Sequence, residues 1–132
     1  MKKLVILLSS FASVACVTSY TPTYRFNQIQ VVNLSGSTIE DVGVRVVDSE
    51  KALSCDEVAM NAVCEDRFGT RPFPQQGIEL SWTHPGDNRK REVLTPKIPV
   101  TFYSAIPLRI VMEVNEDGSV NSFFEQDSLA KR

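Results

Sequence analysis

Apolar residues in this chain recur at every second position in short runs, and that period restricts it to β-structure. Val42, Val44 and Val46 alternate with Gly43 and Arg45; Ile78, Leu80 and Trp82 alternate with Glu79, Ser81 and Thr83. Leu108, Ile110, Met112 and Val114 follow the same rule, with Arg109, Val111 and Glu113 between them. Neighbouring side chains of a strand point to opposite faces, so each run offers one face to a core and one to water. Phe26 to Leu34 is denser, with Ile29, Val31, Val32 and Leu34, and reads as a strand covered on both faces.

Turn chemistry separates the runs. Ser35-Gly36-Ser37 follows the first, so the first two strands read as a hairpin or as neighbours across a short loop. His84-Pro85-Gly86-Asp87-Asn88 ends the third, and Arg89 to Thr95 is its return strand. Pro96 and Pro99 remove ladder donors, which leaves the stretch around Ile98 as an edge strand or a connection, with another short strand at Val100 to Tyr103. Asp117-Gly118 between two alternating runs is the clearest hairpin signal, because Gly118 takes the positive φ such a turn needs. About seven short strands are expected in roughly one hundred structured residues, which favours an all-β sandwich of the immunoglobulin-like or transthyretin-like kind.

The N-terminus is a different kind of sequence. Met1-Lys2-Lys3 is followed by an apolar run from Leu4 to Phe11 and by Ala12-Ser13-Val14-Ala15 before Cys16. A basic start, a short apolar stretch and a small-residue site make a secretory signal peptide. The run is too short for the roughly 20 residues that span a bilayer. With a cysteine directly after the small residues, the segment resembles the bacterial lipoprotein export signal, although Ser13 stands where that class usually carries a large aliphatic residue. The resemblance covers only these first sixteen residues. It implies acylation of Cys16, including palmitate-type chains, and anchoring by two or three chains where one would be marginal. Val17, in place of an Asp, implies the outer membrane facing the periplasm. A soluble periplasmic or secreted protein, cut by ordinary signal peptidase, is the alternative.

The chain thus divides into a signal peptide (1–15), a lipidated N-terminus and polar tether (16–24), a β-sandwich domain (25–127) and a frayed tail (128–132). Removing the signal leaves 117 of 132 residues, the size of one domain. The 14 Lys and Arg lose Lys2 and Lys3, so 12 face 16 Asp and Glu. That mild acidity argues against nucleic acid as a partner. Arg89-Lys90-Arg91 reads as a solvated hairpin flank.

Three cysteines are an odd number. If Cys16 carries lipid, Cys55 and Cys64 are left as a pair, as an oxidising compartment favours. Ser54 followed by Glu57 is a capping-box signature and predicts a helix start, yet a continuous helix from Cys55 to Cys64 would hold their α-carbons roughly 13 Å apart, where a disulfide needs less than about 7 Å. A short helix ended by a reversal at Asn61-Ala62, inside a disulfide-closed loop, reconciles the two. Metal binding and redox chemistry by the pair are the lesser readings, since His84 is the lone histidine and the spacing is not Cys-x-x-Cys.

No nucleophile signature accompanies His84, and the acidic pairs Glu40-Asp41, Asp56-Glu57 and Glu65-Asp66 fit no ligand loop, so neither enzyme nor cofactor nor metal is expected. Asn33-Leu34-Ser35 matches a glycosylation acceptor, a coincidence in a bacterial lipoprotein. Residues 65 to 77 read as a long connection, with Arg67, Phe68, Arg71 and Phe73 as the candidate partner surface. The competing reading has both phenylalanines folded back over one end of the sandwich. The function expected is a non-enzymatic, membrane-anchored interaction, assembly or accessory module, its partners the bilayer through Cys16 and an envelope protein. The alternative is a small-ligand or envelope-polymer binding domain with Trp82, Tyr103 or Phe73 as an aromatic platform.

Overall fold

A computed structural model describes residues 24–47, 51–72, 77–103 and 105–126. Cys16 and the signal, the tether up to residue 23, Phe73 and the tail from residue 127 lie outside the described residues. Eight strands form, β1 (Arg25–Leu34), β2 (Ile39–Val46), β3 (Lys51–Val58), β4 (Val63–Pro72), β5 (Ile78–Thr83), β6 (Arg89–Leu94), β7 (Leu108–Asn115) and β8 (Val120–Gln126). They make two four-stranded sheets, β4-β1-β7-β8 and β3-β2-β5-β6. All neighbours are antiparallel except β1 and β7.

The period-two runs decide the packing. Ile29, Val31, Ile110, Met112 and Val114 from the first sheet meet Val42, Val44, Ile78, Leu80 and Trp82 from the second, each no more than 1% exposed. β1 is a central strand with a closed inner face, and on its outer side Val32 and Gln30 are half-buried while Gln28 is buried.

Four expectations need correction. β1 and β2 are neither a hairpin nor neighbours: they belong to opposite sheets, because the turn at residues 35–38 carries the chain across the core. Val100 to Tyr103 is no strand but part of the β6–β7 connection, where Pro96 and Pro99 deny it a ladder. The helix after Ser54 is absent. Its residues form β3 against β2, with Gly43 opposite Ser54 and Glu40 opposite Glu57, so cross-strand bonding displaces the local capping box. Residues 65–72, read as a connection, continue β4 as far as Pro72 opposite Arg25. The polar, glycine-containing run hides this strand, because only its inner face needs apolar side chains.

The expected reversal at Asn61 is present. Asn61 has φ +61°, a left-handed conformation that Asn tolerates better than most residues, and Ala62 N donates to Ala59 O at 3.0 Å. The Asp-Gly hairpin also forms, with Gly118 at φ +82° and Asn115 N donating to Ser119 O at 2.9 Å. Asp117 accepts from Ser119 Oγ (2.6 Å) and Ser119 N (2.9 Å), which holds its carboxyl below the usual range.

At the free edge of the second sheet, Lys90 and Glu92 pair with the inward-facing Trp82 and Leu80, so both stand on the inner face of β6. Inward charge on an edge strand discourages pairing with another chain. Lys90 Nζ reaches the β7–β8 turn, where a Cβ on Gly118 would meet it at 3.0 Å.

Candidate functional site

Three local structures bear on what the surface does. One is the corner where the chain passes from β3 to β4, and so from one sheet to the other. Cys55 and Cys64 are bonded across it, with α-carbons 6.4 Å apart. The bond therefore joins the edge strands of the two sheets, β3 and β4, rather than closing an isolated loop. In the chain-entropy model a ten-residue ring contributes about 2 to 3 kcal/mol. Asn33, fully buried at the end of β1, secures the same corner. Its Nδ2 donates to the carbonyls of Ser37 (2.7 Å), Val58 (3.0 Å) and Ala59 (3.2 Å), and its Oδ1 accepts from Ser35 N (3.0 Å) and Oγ (2.6 Å). The apparent glycosylation acceptor is thus an internal hydrogen-bond hub with no amide nitrogen at the surface.

The second is the surface expected around residues 67 to 73. Alternation turns Phe68 inward, since Cys64 and Asp66 oppose the inward-facing Val31 and Ile29; from there Phe68, Gly69 and Thr70 oppose Asn27 alone, an irregularity at the end of the ladder. Its ring meets Phe26 edge-on, with centroids 5.0 Å apart and planes at 78°. The Arg71 guanidinium lies 4.9 Å from the Phe68 centroid on the exposed side. Phe68 therefore covers the end of the core, and Arg71 covers Phe68. Arg67 sits opposite Gln28 on the outer face of the first sheet, beside a polar array in which Gln28 and Gln30 both donate to Glu65 Oε2 (3.1 and 2.7 Å) and Arg109 pairs with Glu125 (2.8 Å). Of the three described residues, Phe68 and Arg71 meet and Arg67 stands apart; Phe73 lies outside the described residues.

The third was not legible as a site. On the outer face of the second sheet a depression of about 80 Å³ is lined by Gly43, Arg45, Glu79, Ser81, Arg89 and Arg91. Glu79, with 12% of its side chain exposed, is flanked by Arg45 (3.2 Å) and Arg91 (3.5 Å). Arg89 Nη2 donates to the buried Ser81 Oγ at 2.8 Å, and Arg45 Nε is buried without a hydrogen-bond partner among the described residues. Among the described lining residues three guanidiniums stand against one carboxylate, a local positive excess suited to an anion. The signal in the sequence was the alternation itself, which sends Arg89 and Arg91 outward and Lys90 inward.

Trp82, 1% exposed, belongs to the core and to no surface platform, whereas Tyr103 is 70% exposed in a different part of the fold. His84 Nδ1 lies 3.5 Å from Ser37 Oγ, at the limit of a hydrogen bond. Among the described residues no group of three or more His, Cys, Asp or Glu is placed to hold a metal ion, and no helix is long and apolar enough to cross a membrane.

No family model and no curated protein matches the chain. A solved structure, the NMR structure of a protein from Eubacterium rectale, superposes with a TM-score of 0.48 at 11% identity, covering 83% of this chain and 94% of that one.

Proposed function

We propose that the chain is a lipoprotein of the bacterial cell envelope, cut before Cys16, acylated on that thiol and held at the periplasmic face of the outer membrane, where its sandwich acts as a non-enzymatic interaction or accessory module. The observation that carries this reading is the Cys55–Cys64 bond: it leaves Cys16 as the unpaired cysteine of the chain, at the position where the export signal places the acylated one. We infer further that the sandwich is transthyretin-like. In the immunoglobulin arrangement the first two strands share a sheet, whereas here β1 and β2 do not, and β1 instead lies parallel to β7.

The arginine-lined depression favours one alternative, a binding domain for a small anionic ligand or envelope polymer. Both readings share the anchor.

Expression with the native signal, followed by membrane fractionation, tests it. The wild-type chain is expected in the membrane fraction, resistant to high salt, and Cys16→Ser almost wholly in the soluble one, since two acyl chains anchor stably and none does not. Equal partition of the two would remove the anchor.

A further inference from the structure

The β6–β7 connection holds two apolar side chains out in water. Val100 is 98% exposed and Tyr103 70%. Their backbone is nonetheless tied down. Phe102 N donates to Pro99 O (3.0 Å) and Ile106 N to Tyr103 O (3.2 Å). Gln126, at the end of β8, accepts from Tyr103 N (3.1 Å) and donates to the carbonyls of Tyr103 (2.6 Å) and Ile106 (2.9 Å). Ile98 and Phe102 pack against the core from the same connection. The fold thus anchors alternate parts of this segment inward and presents the remainder in a fixed form, so the exposure of Val100 and Tyr103 does not come from fraying.

What covers them is indicated by place, charge and chemistry. The Tyr24 hydroxyl donates to Phe102 O at 3.3 Å, so the chain enters the sandwich directly against this connection. Cys16 is eight residues earlier, a reach of at most about 29 Å when fully extended. The end nearest a lipid on Cys16 is therefore this one. Exposed Arg25 and Arg71 lie at the same end, paired with Pro72 and Phe26, and exposed Lys97 is in the connection itself. Of the described acidic residues, Asp87, Glu116 and Asp117 in turns and Glu40 and Glu57 beside them lie at the opposite end, with Arg89 and Lys90; Glu65 and Asp66 lie mid-strand, Glu92 is on the inner face of β6, and Glu79 and Glu125, toward this end, are paired with Arg45 and Arg91 and with Arg109. Asp48, Glu50 and Asp127 lie outside the described residues. Anionic headgroups attract basic side chains within a Debye length, and a tyrosine ring is at home at headgroup depth.

We propose that this end of the sandwich faces the bilayer, with Val100 and Tyr103 entering the headgroup layer and Arg25, Arg71 and Lys97 meeting lipid phosphates. The proposal rests on the anchor at Cys16, and its test supplies that anchor chemically, so that the two fail separately. The mature chain, whose Cys16 thiol is the reactive one while Cys55 and Cys64 are bonded, is coupled to a maleimide lipid in vesicles of phosphatidylethanolamine and phosphatidylglycerol. Hydrogen exchange is then compared with the uncoupled chain. Amides of residues 97 to 103 are expected to exchange about fivefold more slowly or less on the vesicles, the factor one basic residue contributes at an anionic surface, with residues 84 to 88 unchanged. Val100→Asp with Tyr103→Asp, both outside the core, is expected to restore the solution rate. Unchanged exchange at 97 to 103, protection that the double variant keeps, or protection arising only when a soluble protein is added would overturn the proposal. Finding Cys16 unmodified in the native protein would leave the vesicle result as it stands.

Discussion

Trp82→Ala is expected to lower the free energy of unfolding by about 3 to 5 kcal/mol, the largest effect of any single truncation in this fold. Trp82 is the largest fully buried side chain among the described residues, 1% exposed on the inner face of β5, an interior strand with β2 on one side and β6 on the other. Its loss opens a cavity between sheets whose backbones are held by ladders and by the Cys55–Cys64 bond, so collapse around the gap is restricted. Domains of this size are stable by roughly 5 to 15 kcal/mol, and the variant takes a large share of that. Trp82→Phe separates packing from polarity. The indole Nε1 is buried without a hydrogen-bond partner among the described residues, so Phe discards volume and an unsatisfied donor together. A cost within about 1.5 kcal/mol is expected, because relief of the buried N–H offsets part of the cavity. Urea unfolding of the three proteins measures both; a Phe variant as unstable as the Ala variant would mean that Nε1 has a partner.

Asn33→Ala is expected to cost about 2 to 4 kcal/mol, more than its small volume suggests. The substitution removes a donor from the carbonyls of Ser37, Val58 and Ala59 and the acceptor of the Ser35 amide. Ala59 O keeps Ala62 N (3.0 Å) and Ser37 O keeps Ser35 Oγ (3.0 Å), so the penalty of about 1 to 3 kcal/mol per unpaired group falls chiefly on Val58 O and Ser35 N, and water entry partly relieves it. Asn33→Asp is the sharper variant. A carboxylate of almost the same shape keeps the bond to Ser35 but faces the carbonyls of Ser37, Val58 and Ala59 with no donor, so it is expected to be at least as destabilising as Ala at neutral pH. The corner is also where the disulfide acts, and the two share the segment from residue 58 to 62. Reduction and Asn33→Ala are therefore expected to be non-additive, the second of them costing less once the first has loosened the corner. Additive effects would mean that the hub and the bond hold separate parts of the fold.

The β-class, six of the eight strands and the Asp-Gly hairpin were legible because each rests on a local pattern that tertiary structure had no reason to override. The runs at Val42, Ile78 and Leu108 have one apolar face each, and the sheets use those faces as the spacing requires. β3 and β4 were hidden for a common reason. They are edge strands, with Leu53 and Val58 buried in β3 and Cys64 and the half-buried Phe68 turned in from β4, so their alternation is too sparse to outweigh a capping box at Ser54 or the polar run after Cys64. Partition between sheets was also beyond local reading: nothing in Ser35-Gly36-Ser37 says whether the next strand pairs with β1 or crosses the core. Of the candidate surface, Phe68 lies against Phe26 with Arg71 beside it, which agrees with the competing reading for Phe68 alone, since Phe73 lies outside the described residues. The arginine depression needed three strands brought together, β2, β5 and β6, and the register that sets Arg45 beside Glu79 and Arg91 beside Ser81.

Anchor and corner both depend on the fate of three thiols, which the intact mass of the mature protein purified from its native membrane, with and without reduction, reads in one measurement. The predicted result is the mass of the chain from Cys16 plus acyl groups, rising by two protons on reduction as Cys55 and Cys64 part. A chain of unlipidated mass with a free thiol at Cys16 would contradict it, and would make the protein a soluble one whose sandwich meets its partners without a membrane.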